Sequence, residues 1–279
     1  MNYTHSSIRY VFKNFWYIAL LSVLPGAILS GMARVEEMQK FYTAFFSGNL
    51  SSISWTQIFN TFSIYNFSDW LPALLNIAAY VGIVLCASML LALIDKHMRI
   101  GKRTLNGLID KLNDNILSTG AVALFFSVLY ELWALLFSSL AFAIFSLVPN
   151  VIAQYVLFCI LLLAGGLALL YVIALFYLWL PCMQITGFRP FEALRYSNQI
   201  TEKVKRRLIV SMLVSVIVGN AIIIPCVMFA PWPVSYLVMF VVYMFYFMLF
   251  MVRMEVVYFD TAQLDREDLK PAYIKKHED

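Results

Sequence analysis

Glu131 is the residue whose chemistry fits its surroundings least well, because it interrupts a long apolar run at Leu129–Trp133. An ionised carboxylate at mid-bilayer costs at least ~2.5–3.5 kcal/mol, so such a residue usually faces a bundle interior or a wet cavity. Three interpretations stay open: an ion, proton or substrate site, a polar contact between helices, or a carboxylate offset toward the membrane surface. An ion pair would require a loop to fold inward, and the expected hydrogen-bond partners are residues of other spans: Asn76, Tyr80, Tyr171 and Asn220.

Asn220 is the second candidate binding residue, and it lies between Gly219 and Pro225 in another apolar run. Glycine, asparagine and a downstream proline could open the helix backbone at a ligand site. The same residues also serve helix packing with one interhelical hydrogen bond, which is the more common use. The sequence therefore leaves a binding and a packing role open for Asn220.

Catalytic and metal-binding patterns are absent from the sequence. The four cysteines and three histidines are scattered, and no CxxC pair, HExxH, GxSxG or glycine-rich phosphate loop occurs. Zinc sites need clustered Cys and His ligands, and isolated apolar cysteines usually serve as small packing residues. We therefore predict no catalytic residues, no metal site and no cofactor.

One basic cluster stands out, and it comprises Lys203, Lys205, Arg206 and Arg207 just before an apolar run. Each such charge contributes about 1 kcal/mol to the binding of anionic headgroups at a membrane surface. The same charges also fix membrane topology, and the sequence alone does not separate these roles. Nothing beyond this cluster indicates a nucleic-acid partner.

The elements that carry these residues are membrane-spanning helices. The chain has 279 residues, of which 62% are hydrophobic and 13% charged, against about 45–50% and 25% in soluble domains. Its apolar runs are continuous, which indicates helices rather than the alternating strands of a membrane barrel. We predict an all-α integral membrane bundle over 1–258, a cytoplasmic tail over 259–279, and six transmembrane helices at 15–33, 71–94, 116–147, 151–181, 208–230 and 233–252.

The basic residues predict the orientation of these spans. All Lys and Arg residues except Arg34 and Lys40 lie before the first span, in every second link, or after the last span. Cytoplasmic loops carry the excess of positive charge, so both termini are expected in the cytoplasm of a multi-pass cell-membrane protein. The 34–70 segment then lies outside, where its 54–62 stretch is either an interfacial helix or a plain loop.

The two large basic links resemble each other. Gly101–Leu108 and Gly187–Leu194 share Gly, Arg and Leu at a constant offset, with Thr104 and Pro190 where helices begin. Each link should continue as a short amphipathic cytoplasmic helix, and the N-terminus should form a third. The expected apolar face of the first link helix is Leu105, Leu108, Ile109 and Leu112, and that of the second is Phe191, Leu194 and Asn198. The expected face of the N-terminal helix is Ile8, Val11, Phe12 and Phe15. A unit of one such helix and two spans, repeated three times, predicts a pseudo-threefold bundle.

The segment from Pro181 to Val210 resembles a known bacterial family. Pro181, Gly187 and the run Pro190–Ser197, followed by basic residues and a span, are similar to YciC-like inner-membrane proteins and to the membrane domain of some glycerophosphodiester phosphodiesterases. The sequence departs from that pattern at Glu202–Arg207, which replaces a Gly-Arg-Trp-like turn. The resemblance implies a polytopic membrane fold. It implies no phosphodiesterase activity, which belongs to a separate soluble domain for which we expect no room here.

These observations favour a non-enzymatic membrane protein with a transport, envelope or membrane-organising role. One alternative is the permease subunit of an ABC-type transporter, because Glu192–Leu194 resembles the start of an EAA loop. The glycine expected four residues later is Asn198 here. Another alternative is a lipid-acting membrane enzyme, although Glu131 and Asn220 supply few converging polar groups. The expected partners are the bilayer, anionic lipids, and a further copy of the chain or an ATPase.

Overall fold

A computed structural model describes residues 3–65, 70–105 and 107–270 of the chain. Within these residues the fold is all-α, as predicted. The helices are α1 (Tyr3–Lys13), α2 (Phe15–Met32), α3 (Val35–Phe46), α4 (Trp55–Phe62), α5 (Trp70–Ile100), α6 (Leu108–Leu147), α7 (Val151–Phe176), α8 (Trp179–Thr186), α9 (Pro190–Glu202), α10 (Lys205–Phe229) and α11 (Trp232–Thr261). Short 3₁₀ turns occupy Leu50–Ser52 and Glu267–Leu269.

Six helical segments are long and apolar enough to cross a membrane, which confirms the predicted six-helix architecture. They are Phe15–Met32, Trp70–Ile100, Ile109–Leu147, Val151–Thr186, Lys205–Phe229 and Trp232–Thr261. Several extend past the expected ends, and the sixth passes 252 because charged residues within it are buried rather than solvated. The fourth contains a break after Phe176, where Pro181 cannot donate a backbone hydrogen bond to Tyr177 and its ring crowds that carbonyl.

The six long helices pack side by side in chain order and close into a ring. α2 contacts α5, α5 contacts α6, α6 contacts α7, α7 contacts α10, α10 contacts α11, and α11 returns to α2. Three consecutive units of two spans would produce this order, and the repeat itself stays a prediction. We call the end with α1, α8 and α9 the basic end and the end with α3 and α4 the loop end.

Local capping signals explain where the connecting helices start. Ser54 and Gln57 form a reciprocal capping box at the start of α4, so the 54–62 stretch is a helix, and it packs on α3 and α6. The Asn150 side chain accepts hydrogen bonds from the Ile152 and Ala153 amides at 2.9 and 3.2 Å. This cap starts α7 directly after α6 ends.

The short helices at the basic end differ from expectation in one respect. α1 and α9 form, but they turn small or polar residues toward the bundle: Ser7 and Tyr10 of α1, and Ala193 and Ser197 of α9 are buried. Phe12 and Phe191 are exposed. Of the expected apolar faces, Val11 of α1 packs on the bundle, whereas Phe12 of α1 and Phe191 and Asn198 of α9 point outward.

The second link does not form a separate helix between its glycine and the third span. The residues from 101 to 105 are not helical, Leu105 is exposed, and α6 begins at Leu108 and continues without interruption. Asn106 and the Leu108 side chain, which belong to the predicted repeat, lie outside the described residues. Lys275, Lys276 and His277 of the tail also lie outside them.

Candidate functional site

Glu131 lies in the middle of α6 and binds the segment that follows α4. Its carboxylate accepts a hydrogen bond from the Ser63 hydroxyl at 2.8 Å. It also accepts hydrogen bonds from the backbone amides of Ile64 at 2.9 Å and Tyr65 at 3.1 Å. The loop supplies the groups that hydrogen-bond this carboxylate, as a carboxylate within a span requires.

Three of the expected partners of Glu131, namely Asn220, Tyr80 and Tyr171, bond to other groups. The Asn220 amide donates to the Val216 carbonyl at 2.9 Å, the Tyr80 hydroxyl donates to the Gly120 carbonyl, and Tyr171 contacts Lys205. The loop folds inward instead, and a sequence pattern does not show that contact because Glu131 and its partners are more than 60 positions apart.

Arg34 holds the same loop segment from the other side. Its guanidinium donates to the Tyr65 carbonyl at 2.5 Å and also hydrogen-bonds the Asn60 side chain. Burial lowers the pKa of Arg34, while the nearby Glu131 and Glu37 carboxylates act in the opposite direction. A carboxylate and a guanidinium therefore fix one short stretch of backbone at the loop end.

Three tyrosines converge beside this polar anchor. Tyr42 of α3 and Tyr243 of α11 pack against the same hydrophobic cluster. Tyr130 of α6 lies within electrostatic range of both, and we call the three the tyrosine cluster. Each is partly accessible. No described residue forms a hydrogen bond with any of the three hydroxyls. Burial raises the pKa of Tyr42 to about 12, with Tyr243 acting in the same direction, so its hydroxyl is neutral and can donate.

The packing of the bundle leaves a gap next to the tyrosine cluster. Near the basic end, α7 and α10 share one hydrophobic cluster through Leu170 and Leu208. Toward the loop end they separate: Phe158 of α7 belongs to a cluster with α3 and α6, whereas Ile223 of α10 belongs to another with α3 and α11. Tyr42 packs against both of these clusters, so it lies between the two helices.

The exposed side chains of α7 and α10 show how much of each helix is left uncovered in the half of the bundle near the loop end. At 100° per residue, the exposed residues of each helix in this half cover more than half of its circumference. They are Val156, Leu157, Ile160, Leu162 and Leu163 of α7, and Val216, Ile217, Val218 and Ile222 of α10. We call the gap the α7–α10 cleft. Its walls are apolar, and Tyr42 of the tyrosine cluster lies between them.

Asn220 lies on the exposed side of α10 at the edge of this cleft. Its amide and the Tyr246 hydroxyl both donate to the Val216 carbonyl, at 2.9 and 3.1 Å. The interhelical bond expected of Asn220 is therefore replaced by a bond within its own helix. Gly219 is needed for the approach of Tyr246, because a Cβ there would lie 1.9 Å from the tyrosine oxygen.

The basic cluster lies where α9 passes into α10. Lys203, Arg206 and Arg207 are exposed, and the Lys205 ammonium lies 4.9 Å from the Tyr171 ring centroid. None of the four forms an ion pair within the described part of the chain. Their charges are thus available to anionic groups at the membrane surface.

Sequence reasoning missed the buried polar residues at the basic end. Arg253 and Glu255 are 3% and 1% exposed, and the Tyr10 hydroxyl lies 2.7 Å from Nδ1 of His97. The missed signal is that apolar residues continue on both sides of Arg253 and Glu255 as far as Phe259. The predicted sixth span ends at 252 because Arg253 is the first charged residue after it, and this boundary places Arg253 and Glu255 outside the membrane.

Clustered metal ligands and similarity to known proteins are two further indicators of a protein's chemistry. Within the described ranges, no three His, Cys, Asp or Glu side chains come together as a metal site would require, and the four cysteines are unpaired. No family model, no curated protein and no solved structure matches this chain. Function therefore has to be argued from the geometry of the cleft and the polar sites.

Proposed function

We propose that this chain is a non-enzymatic multi-pass protein of the cell membrane that binds an amphipathic, lipid-like molecule in the α7–α10 cleft. Its role would be in transport or in the envelope, with both termini in the cytoplasm and the cleft facing the outer leaflet. The observation that carries the proposal is the tyrosine cluster: three hydroxyls without a hydrogen-bond partner among the described residues, with Tyr42 between the apolar walls of the cleft.

The chemistry of the cleft favours an uncharged polar group on an apolar tail. Ligand sites are mostly apolar and contain a few well-placed polar groups that fix orientation. Tyr42, Tyr130 and Tyr243 each offer a hydroxyl that can both donate and accept. The nearest charged groups, Glu131 and Arg34, already bind the loop. Ester carbonyls or sugar hydroxyls of a lipid match this arrangement, and acyl chains match the walls.

The two alternatives make different demands on the protein. A lipid-acting enzyme needs a nucleophile or base beside the bound molecule, and the tyrosine cluster supplies neutral hydroxyls. A permease subunit needs an ATPase bound at the basic end, where α9 displays Phe191 with 87% of its surface exposed. Stoichiometric co-purification with an ATPase would replace our proposal with the permease assignment.

The proposal is tested by the lipids that remain bound to the purified protein. We expect native mass spectrometry in mild detergent to show a retained lipid-like molecule on the wild-type protein. The double variant Tyr130→Phe and Tyr243→Phe removes two hydroxyls without changing the apolar walls. At about 0.5–1.5 kcal/mol for each lost hydrogen bond, the affinity should fall about tenfold, and less of the molecule should remain bound after purification.

Tyr236→Phe is the matched control, because its hydroxyl already donates to the Ala33 carbonyl at 3.3 Å outside the cluster. It should retain the bound molecule at the wild-type level. Equal occupancy in the wild-type protein and the double variant would contradict binding at the tyrosine cluster. A second copy of the chain covering the cleft would appear as a dimer without a bound lipid, and that result would also refute the proposal.

A further inference from the structure

Arg253 is a buried cation in the basic half of the bundle. Its side chain projects from α11 and is 3% exposed, and its Nη2 donates to the Ser215 hydroxyl of α10 at 2.5 Å. Ser215 lies ten positions into α10, which corresponds to about 15 Å of helix. The guanidinium therefore lies well below the surface at which the basic cluster is exposed.

The charge of Arg253 lacks a carboxylate partner. No Asp or Glu lies within ion-pair distance in the described part of the chain, and its Nε has no hydrogen-bond partner there. Glu255 is two positions further along α11 and projects from a different side of the helix, toward Asp95 and Arg99 of α5. Arginine stays protonated in proteins, and a buried charge is strongly destabilising unless it is compensated.

A polar stripe connects this guanidinium with the surface. Arg207, Ser211 and Ser215 follow one another at four-residue spacing, so they lie on one side of α10. Arg207 is exposed at the start of the helix, whereas Ser211 is buried and accepts a hydrogen bond from the Thr4 hydroxyl of α1 at 2.9 Å. The Ser215 hydroxyl donates to the Ser211 carbonyl at 3.1 Å and accepts from Arg253, so it orients the guanidinium. Hydroxyl groups thus continue from the exposed arginine to the buried one.

We propose that Arg253, with Ser215 and the polar stripe, binds a phosphate-class oxyanion that enters from the basic end. The anion supplies the missing negative charge, because guanidinium and phosphate pair through charge-assisted hydrogen bonds. Two sources carry this chemistry: the phosphate of an anionic lipid headgroup and free phosphate. The site shares no residue with the tyrosine cluster, so the experiment on one site can give a negative result while the experiment on the other gives a positive one.

Thermal unfolding of the full-length protein in an uncharged detergent tests the site. One arm adds inorganic phosphate, and the other adds phosphatidic acid to the micelles. In whichever arm supplies the anion that the site binds, Tm should rise by about 5 °C when that anion is present at about a hundred times its Kd. Arg253→Met should abolish this rise, while Ser215→Ala should reduce it because the charge remains.

Arg195→Met is the matched control, because it removes an exposed charge of α9 at the same end of the bundle, outside the basic cluster and off the polar stripe. It should retain the response of the wild-type protein. If Arg253→Met does not fold, Arg253→Lys keeps the charge and should retain a weaker response. Equal responses of the wild-type protein and Arg253→Met, or no response of the wild-type protein in either arm, would overturn the proposal.

Discussion

Replacement of Glu131 tests whether its carboxylate anchors the loop. The variant Glu131→Ala leaves the amides of Ile64 and Tyr65 and the hydroxyl of Ser63 without their acceptor. Hydrogen bonds to a charged group contribute about 1.5–3 kcal/mol each. The three bonds share one partly accessible carboxylate, so their contributions do not add, and we expect a loss of about 3 kcal/mol in the local stability of the loop.

Hydrogen–deuterium exchange of the Ile64 and Tyr65 amides measures this loss. A change of about 3 kcal/mol corresponds to roughly a hundredfold faster exchange. Glu131→Gln keeps one oxygen for the two amides, and the Ser63 hydroxyl can rotate to accept from the new NH₂ group. Its exchange should therefore increase less than tenfold.

The difference between the two variants separates an anchor from an ionisable site. An anchor needs an acceptor oxygen, so Gln should behave nearly as Glu. A proton or ion site needs the ionisable carboxylate, so Gln and Ala should then be equally defective. Unchanged exchange of Ile64 and Tyr65 in Glu131→Ala would refute the anchoring role.

Three other predictions concern helix contacts and orientation. Gly26→Ala should destabilise the protein by about 1–3 kcal/mol in detergent unfolding, because the added Cβ would lie 2.8 Å from Cβ of Met244. Gly31→Ala is its control, because the added Cβ meets nothing within 4 Å and the variant should be neutral. Gly219→Ala should be destabilising for the same reason, because its Cβ would meet both the oxygen and the ring of Tyr246. Tyr246→Ala removes the whole ring, so the double variant should lose less stability than the sum of the two single losses in a double-mutant cycle; additive losses would argue against this contact. A C-terminal tag should be accessible only after the cells are permeabilised, and labelling of intact cells would reverse the proposed orientation.

The spans were predictable because their signal is local. A continuous apolar run has only one backbone conformation available in lipid, so both helix type and approximate position follow from it. The caps at Ser54 and Asn150 are also local, since each acts on amides two or three positions away. Whether the 54–62 stretch is helical was left open, although its capping box is present in the sequence.

The candidate site is formed by contacts between residues far apart in the sequence, and apolar runs and capping signals do not predict such contacts. Glu131 binds a loop that arrives from another part of the chain, and the tyrosine cluster draws one residue from each of α3, α6 and α11. For α1 and α9, amphipathic spacing located the helices but not the face that packs on the bundle. In α1 the predicted Val11 packs on the bundle together with Ser7 and Tyr10, whereas in α9 Ala193 and Ser197 pack there in place of the predicted Phe191.

Two adjacent residues of α10 bind side chains of α11, and this fixes how the two helices lie against each other. The Ser215 hydroxyl accepts from Arg253, and the next carbonyl, that of Val216, accepts from Tyr246. Arg253 and Tyr246 both belong to α11, so the two bonds fix the axial position of α10 against α11. A sliding or rotation of α10 that widened the cleft beside the tyrosine cluster would strain both bonds at once.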